Sequence, residues 1–430
     1  MTATSTQPSR RDLLKWFAGI PFLPLGAMGT AATLAGCNDS SDNAVIPPAV
    51  KPANLKSATF IKMDAPTATA DRAKTSVSSK LKIEWDDATS TEYQLGYKSF
   101  FETGTKVPKW GGGEIVAGGY FDAKGQPIMD TSSATLPARQ FFSDCPDGSS
   151  LLKLENAKVD GVANPVFHVV QFEYATWAQD GTTDMYGKLP SPIAVLTLDQ
   201  DQTTGKLSLV KYHNVDTSKV HGLWITCGAS LSPWGTHLSS EEYEPDAFGI
   251  ASNAMFQAYS QNLYGDATKA NPYHYGHMPE VIVNPDGTGS IKKHFCMGRI
   301  SHELVQVMPD QRTALMGDDA TNSGYFVFVA DKEKDLSSGT LYAAKVGAGF
   351  SIDPAAKSAA PLTWIKLGSA TSTEIENLAN TLKPLISPNN VIAAYQGKNT
   401  LVITDYADNI ARISRIIDNI DQPPLSEVFT

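Results

Sequence analysis

The sequence has few cysteines for its length and fewer basic than acidic residues. Four cysteines in 430 residues are too few for a fold built on disulfide bonds. Charged residues make up 19% of the chain, and acidic residues outnumber basic ones, giving a formal net charge of −10. This balance argues against nucleic acid as a partner, because a phosphate backbone requires a basic surface. It also means that an anionic small substrate would need bound cations.

Several catalytic motifs are absent as well. The chain has no Gly-x-Ser-x-Gly nucleophile elbow, no phosphate-binding P-loop and no dinucleotide-binding glycine fingerprint. It also lacks the His-x-Glu and His-Glu-x-x-His zinc patterns. Hydrolases and nucleotide-dependent enzymes that work through these motifs are therefore not indicated.

A long apolar run lies near the N-terminus, at residues 16–36, directly after a twin-arginine pattern that contains Arg10 and Arg11. It ends in Leu-Ala-Gly-Cys, which resembles a bacterial lipobox with Cys37 as the lipidated residue. A transmembrane helix is the alternative, since about 20 apolar residues span a bilayer. Pro21, Pro24 and the glycines at positions 19, 26 and 29 inside the run favour a signal peptide over residues 1–37.

We therefore expect the protein to be exported in folded form by the twin-arginine route. Its destination would be the periplasm, the cell envelope or the outside of the cell, and it would contact the membrane only through the lipid anchor. Residues 38–58 are rich in Asn, Asp, Ser and Pro and predict a tether. Cys145, Cys227 and Cys296 remain after processing, so at least one of them is unpaired or binds a ligand.

From about residue 59 to residue 370, short apolar runs alternate with turn residues. Examples are residues 166–171, 193–198, 207–212, 280–283, 304–307, 313–316 and 325–329. This pattern predicts an all-β fold, which is a sandwich, a barrel or a propeller. Exact repeats are absent, so the spacing alone does not identify a propeller.

The pattern changes near residue 370. Residues 373–383 and 405–420 have helical spacing of apolar positions, and residues 390–395 and 400–404 read as strands. We therefore predict a small α+β domain over residues 371–430.

Ionisable residues crowd into residues 221–246, around two short strand-like runs at Leu223–Ile225 and Thr236–Ser239. The Ser-Pro-Trp-Gly sequence at 232–235 would form the turn between them. Burying so many charges without a partner is costly, and a metal ion would supply the partner.

Acidic residues also follow other predicted strands. The candidate ligands are Glu173, Glu241, Glu242, Glu303 and Asp318, with Asp319 beside the last of them. A single acidic pair is ordinarily a solvated loop or turn cap, but strand ends converge on one rim in a propeller or barrel. Carboxylates would repel there unless cations bridged them, and oxygen-rich ligand sets favour Ca²⁺, Mg²⁺ or Mn²⁺. Neighbours on a strand face opposite sides, so one member of each doublet is alternatively only solvated.

Softer ligands and one cation complete the candidate site. Cys227, His237 and His302 would admit iron or zinc, although the first two are equally explained as buried packing residues. His302 stands beside Glu303 and Arg299, so it is the histidine expected to face the site. Arg299 is the candidate anion clamp, because a guanidinium suits phosphate, and an ordinary surface arginine is the alternative.

At these residues the chain resembles the PhoX family of secreted alkaline phosphatases. The resemblance covers about residues 60–370. The pieces that carry it are the twin-arginine signal, Ser-Pro-Trp-Gly-Thr-His-Leu-Ser-Ser-Glu-Glu-Tyr at 232–243, Gly-Arg-Ile-Ser-His-Glu at 298–303, and Gly-Asp-Asp at 317–319 running into 325–329. It implies a β-propeller on which calcium and iron ions hydrolyse a small phosphorylated substrate.

Carried over by position, Glu241, Glu242, Glu303 and Asp318 would bind metal. Arg299 and His302 would stabilise developing charge in catalysis. The chain departs from the family at Ser240, where a cysteine is expected, and before Glu173, where Gln171 and Phe172 replace Asn-His. Because Ser240 replaces the cysteine that would bind iron, iron is less strongly implied than calcium. The later propeller blades are also not recognisable.

The tail resembles a different family, the small N-domains of type II secretion secretins. The similar pieces are residues 385–395, residues 399–410, and the Arg-Ile and Asp-Gln-Pro ending up to residue 423. This resemblance implies a non-catalytic domain that contacts a secretin ring. Two functions are thus predicted: a metal-dependent phosphomonoesterase, or a non-catalytic, calcium-stabilised envelope protein associated with a secretion apparatus. The third hypothesis is a misassembled chain whose incomplete propeller is inactive.

Overall fold

The computed structural model describes residues 53–74, 76–247, 249–319, 324–346, 361–371, 391–395 and 400–404, with residues 383, 409 and 413. Strands are the main regular structure in these ranges, and all paired strands run antiparallel. The predicted all-β class is confirmed at this level. Among the described strands, no sheet closes into a barrel.

The bounds of the elements follow in chain order. The strands are β1 (Leu55–Ile61), β2 (Ser76–Trp85), β3 (Ser90–Gly96), β4 (Lys106–Pro108), β5 (Glu114–Val116), β6 (Met129–Asp130), β7 (Arg139–Gln140), β8 (Pro146–Leu152), β9 (Pro165–Phe172), β10 (Ile193–Gln200), β11 (Leu207–Asn214), β12 (Ser230–Leu231), β13 (His237–Leu238), β14 (Met278–Val283), β15 (Gly289–His294), β16 (His302–Val307), β17 (Thr313–Asp318), β18 (Tyr325–Lys332), β19 (Asp335–Val346), β20 (Leu362–Thr371), β21 (Val391–Tyr395) and β22 (Thr400–Thr404). The α-helices are α1 (Thr69–Arg72) and α2 (Ala254–Tyr264), and 3₁₀ turns cover Ser218–Val220, Ile250–Ser252, Pro272–His274 and Phe295–Met297.

The chain divides into two units, Met1–Phe100 and Phe101–Thr430. In the first unit, β1, β2 and β3 form an antiparallel sheet. β1 begins at Leu55, inside the stretch predicted as a tether. The predicted export signal, its Cys37 and the rest of that tether up to residue 52 lie outside the described residues. No described helix is long and apolar enough to cross a membrane.

The second unit contains three larger sheets in which the strands follow one another along the chain. Their orders are β11-β10-β9-β8, β12-β13-β14-β15 and β16-β17-β18-β19-β20. The strands predicted at residues 166–171, 193–198, 207–212, 280–283, 304–307, 313–316 and 325–329 are confirmed within them. Short runs of β-branched and aromatic residues between turn signals explain why these strands were recognisable.

Apolar side chains join neighbouring sheets. Phe167, Val169 and Ile193 of the β8–β11 sheet share a buried core with Val281 and Val283 of the next sheet. A second core contains residues from the β12–β15 and β16–β20 sheets. It is formed by Leu238, Met278, Cys296, Met297, Val305, Val307, Ala314, Met316, Phe328, Ala330, Leu336 and Leu341. The three sheets pack against one another through these two cores. This packing places their first strands, β8, β12 and β16.

The hairpin predicted within residues 221–246 forms, but its first strand is a different segment from the predicted one. Its first strand is not Leu223–Ile225, because Ile225 has a positive φ of 37° that interrupts an extended chain. β12 pairs instead with β13, and the turn between them contains the predicted Ser-Pro-Trp-Gly sequence. A single bridge then joins Thr226 to Glu241.

Helix α2 was not predicted. Asn253 caps it by accepting a hydrogen bond from the amide of Phe256, and Gly265 ends it in a left-handed conformation. Phe256, Tyr259 and Leu263 pack beneath it against Trp224. The cap and the apolar spacing were present in the sequence, but strand-like neighbours concealed them.

The predicted strands of the tail are confirmed as a hairpin of β21 and β22. The two helices predicted at residues 373–383 and 405–420 lie outside the described residues, apart from residues 383, 409 and 413. The domain boundary near residue 370 stays a prediction.

Candidate metal centre

The first strands of the three large sheets lie next to one another, with β12 in contact with both β8 and β16. The amide of Gly148 in β8 donates to the carbonyl of Cys227 at 3.2 Å. The hydroxyl of Ser230 in β12 donates to the carbonyl of Val305 in β16 at 2.5 Å. The residues that precede or begin these strands are therefore brought into one region.

Glycines permit this close approach. A Cβ atom at Gly228 would overlap the carbonyl oxygen of Glu303, and one at Gly148 would lie 2.5 Å from the amide nitrogen of Ala229. Both distances are too short for any side chain, so the backbones meet only where glycine is present. Glycine is required at position 228 because strand β16 lies so close, and not because a turn needs a positive φ angle there.

Gly228→Ala is expected to destabilise the protein by about 1–3 kcal/mol, because the added methyl group must push β16 away. Chemical denaturation of the variant measures the loss. Gly317→Ala is the matched control, since a Cβ atom at that position would meet no other atom within 4 Å and the φ of Gly317 is not positive. Equal stability losses in the two variants would contradict the close approach of the strands.

Two groups of possible ligands share one cysteine. The first contains Asp147, Glu173 and Cys227, and the second contains Cys227, Glu242 and Glu303. Within each group the ligand atoms all lie within 4.8 Å of one another. The Cys227 thiol lies 3.2 Å from Oε2 of Glu303 and 3.5 Å from Oδ2 of Asp147. Four carboxylates from four chain segments thus surround one sulfur atom.

The crowding of acidic groups changes their protonation. Burial raises the pKa of Glu173 to about 7, and the charges of Asp147 and Glu303 add to the rise. Burial raises the pKa of Glu242 to about 8, together with its hydrogen bond to Asp319 and the charge of Glu303. Burial, followed by the hydrogen bond with Glu303, also raises the pKa of the Cys227 thiol. A bound cation would reverse these shifts, because it favours the ionised form of each group.

Glu241 lies in neither group, although it is adjacent to Glu242. Its carboxylate is fully buried and forms an ion pair with the buried Lys293 at 2.8 Å. It also accepts hydrogen bonds from the amides of Trp224 at 3.0 Å and His277 at 3.1 Å. Adjacent residues in an extended chain point to opposite sides, so Glu242 faces the sulfur atom and Glu241 faces the core.

Arg299 and His302, the predicted catalytic residues, are held by backbone carbonyl groups. The Arg299 guanidinium donates to the carbonyl of Tyr275 at 3.0 Å and to that of Pro245, and it lies over the ring of Tyr273. His302 is fully buried, and its Nε2 atom lies 3.2 Å from the carbonyl of Gly298. Burial lowers the pKa of His302 to about 4, so this imidazole is neutral.

Asp318 pairs with His302 across β16 and β17 and lies in neither ligand group. Burial raises the pKa of its carboxyl group, with the charge of Asp319 adding to the rise. Asp319, which the sequence marked only as its neighbour, accepts a hydrogen bond from the Tyr243 hydroxyl at 2.8 Å. Together with its bond to Glu242, this contact connects Asp319 to the candidate site.

The thiol lies beside the position where the resemblance led us to expect one. The amide of Cys227 donates to the carbonyl of Ser240 at 3.3 Å, so the two residues are cross-strand neighbours. The Ser240 hydroxyl donates to the carbonyl of Gly228 at 2.6 Å. A cysteine on the adjacent segment therefore brings sulfur to this region.

Sequence reasoning missed Asp147. It follows Pro146 and precedes Gly148, a pattern that normally indicates a turn. In the structure these residues begin β8, and the Asp147 carboxylate contacts the thiol. Only the pairing of β8 with the Cys227 segment reveals this carboxylate, and no local signal does.

Comparison with known families supports the resemblance over part of the chain. Residues 199–408 match the family model of the alkaline phosphatase PhoX. This stretch is thus similar to a family of phosphatase-type hydrolases. It contains Cys227, Glu242 and Glu303 and includes the whole β21–β22 hairpin, whereas Asp147 and Glu173 precede it. No curated protein matches the chain.

Proposed function

We propose that the protein is a metal-dependent phosphomonoesterase whose cations are held around Cys227. The observation that carries the proposal is the convergence of Asp147, Glu173, Glu242 and Glu303 on this thiol. The match of residues 199–408 to an alkaline phosphatase family supports the same reaction class. A phosphate monoester is itself an anion, so it could enter this acidic site only with cations present.

The ligand atoms fit cations of two kinds. Carboxylate oxygens suit calcium, while a thiolate suits iron or zinc. Bound cations would supply charge neutralisation and polarisation of the phosphoryl group. The carboxyl group of Glu242 holds a proton at neutral pH because its pKa is raised to about 8. It would bind the cations after losing this proton. Asp319 holds the carboxyl group of Glu242 in place through a hydrogen bond, and the Tyr243 hydroxyl in turn donates to Asp319 at 2.8 Å.

The roles predicted for Arg299 and His302 remain part of the proposal as charge-stabilising groups. The imidazole of His302 would have to exchange its contact with the carbonyl of Gly298 for the substrate. The Arg299 guanidinium has five N–H donors, and its bonds to the carbonyls of Tyr275 and Pro245 would orient it. Asp318 and Glu241, which were also predicted as ligands, are not part of the proposed ligand set, because the first lies outside both groups and the second is paired with Lys293.

The proposed architecture is a β-propeller in which the three large sheets are blades. Two observations support a propeller: the strands of each sheet follow one another along the chain, and β12 contacts both β8 and β16. In a propeller, β8, β12 and β16 would be the innermost strands of their blades. Ligands at the starts of these strands would then face a common axis. The twin-arginine and lipobox patterns support export in folded form to the periplasm, envelope or exterior, which suits a protein that must bind its metal before crossing the membrane.

Glu303→Gln is expected to weaken metal binding about 10–100-fold and to reduce turnover of p-nitrophenyl phosphate, because it removes one charged ligand from the second group. Metal analysis of purified protein with an assay of p-nitrophenyl phosphate measures both effects. Glu114→Gln serves as the control, since it neutralises an exposed carboxylate of β5.

A protein that binds metal but hydrolyses no phosphate ester would contradict the enzyme. It would instead favour the non-catalytic, calcium-stabilised envelope protein. That alternative includes contact of residues 371–430 with a secretin ring.

A further inference from the structure

We propose that Gln171 and His237 are positioning residues that hold the Cys227–Gly228 segment and thereby keep the thiol between the two ligand groups. This inference rests on the proposed metal-binding function. Neither side chain touches the substrate or a cation in the proposal; both act through the backbone of Cys227.

A buried chain of hydrogen bonds carries the proposal. The Ser150 hydroxyl lies 2.9 Å from Nδ1 of His237, and Nε2 of His237 lies 3.0 Å from Oε1 of Gln171. Nε2 of Gln171 then donates to the carbonyl of Cys227 and, at 3.3 Å, to that of Gly228. Gln171 and His237 are fully buried, so water does not replace these bonds.

The direction of every bond in this chain is determined. Two carbonyl groups can only accept, so the amide nitrogen of Gln171 faces them and its oxygen faces His237. Nε2 of His237 must therefore carry the ring proton. The ring has no second proton to give, because burial lowers the pKa of His237 to about 3. Its Nδ1 atom accepts from Ser150, and one tautomer satisfies the whole chain.

The same backbone segment is held from its other sides. Cys227 also accepts a hydrogen bond from the amide of Gly148, and Gly228 accepts one from the Ser240 hydroxyl at 2.6 Å. Cys227 is the one residue common to both ligand groups. A displacement of its backbone would therefore disturb both groups at once, and ligand sites tolerate only about 0.5 Å of such movement.

Gln171→Met tests the proposal in the full-length protein. Methionine has a similar length but neither donates nor accepts these hydrogen bonds. Cadmium is the probe, because a cysteine thiolate bound to it gives a charge-transfer absorption. We expect cadmium affinity to fall about 10–100-fold, as for other residues that orient a ligand, and the absorption per bound ion to decrease. The absorption reports whether sulfur still reaches the ion, which a general loss of stability would not change.

Gln140→Met is the matched control. Gln140 also donates from a partly buried amide to a backbone carbonyl, that of Tyr120, outside both ligand groups. It should keep wild-type affinity and absorption. Ser150→Ala is the second variant, because it removes only the hydroxyl at the far end of the chain; we expect it to weaken cadmium binding less than Gln171→Met does.

The outcomes separate the two proposals. Wild-type cadmium affinity and absorption in Gln171→Met would overturn the positioning role and leave the metal site in place. If that variant fails to fold, unchanged binding in Ser150→Ala overturns the role instead. A wild-type protein that binds no cadmium would overturn the metal site, and with it the inference that rests on it.

Discussion

Replacing Glu241 by Gln is expected to destabilise the protein by about 3–5 kcal/mol while leaving metal affinity unchanged. The exchange removes the charge that Lys293 pairs with, and an unpaired charge in the interior is costly. The lysine would retain hydrogen bonds to the carbonyls of Gly222 at 3.1 Å and His274 at 2.9 Å, but no carboxylate. Chemical denaturation of the metal-free protein measures the change in the free energy of unfolding.

The same exchange one residue later is expected to have the opposite effects. Glu242→Gln replaces a carboxyl group crowded by Asp319 and Glu303, so the metal-free protein should keep its stability or gain some at pH 8. Metal affinity should fall about 10–100-fold, because a ligand of the second group is lost. The two variants differ by one position, so each controls the other. Equal effects on stability and on metal binding would contradict the opposite facing of these side chains.

Much of the strand pattern could be predicted, because short apolar runs between turn residues are a local signal. Cys227 and Glu303 could also be chosen as ligands from their chemistry and from the resemblance. The sequence could not decide which member of the Glu241–Glu242 pair faces the site. That choice depends on where Lys293 lies, and Lys293 is more than 50 positions away in the chain.

The remaining site residues depend on contacts between sheets. Asp147 lies between Pro146 and Gly148, residues that indicate a turn and gave no sign of a ligand. In the sequence, Gln171 was notable only because it differs from the family pattern. Its role depends on its bonds to His237 and Cys227, which only the structure shows. Arg299 suggested an anion clamp because guanidinium groups bind phosphate. Its backbone partners, Tyr275 and Pro245, come from separate segments that no local pattern connects to it. Tertiary placement, which sequence spacing does not encode, decided each of these cases.

The metal-free protein is expected to lose about 2–3 kcal/mol of stability as the pH rises from 6.5 to 8.5. The pKa values of Glu173 and Glu242 are raised to about 7 and about 8, whereas in the unfolded chain both groups are already ionised at pH 6.5. The folded state therefore binds more protons, and its advantage disappears as the pH passes through the folded pKa values. Unfolding in the presence of a chelator, followed across this pH range, measures the slope.

The direction of the histidine pKa shifts and two control measurements, one with Glu242→Gln and one with saturating calcium, test whether the carboxylates cause this loss of stability. The lowered pKa of His237 removes stability only as the pH falls below about 6.5, so histidines do not produce a loss on the alkaline side. Glu242→Gln should flatten most of the slope, because its titrating group is gone. Saturating calcium should reverse the slope, since the cation needs the ionised carboxylates and its affinity rises with pH. A metal-free protein whose stability is constant or rises between pH 6.5 and 8.5 would show that these carboxylates are ionised without a cation, and the electrostatic case for a metal centre around Cys227 would fail.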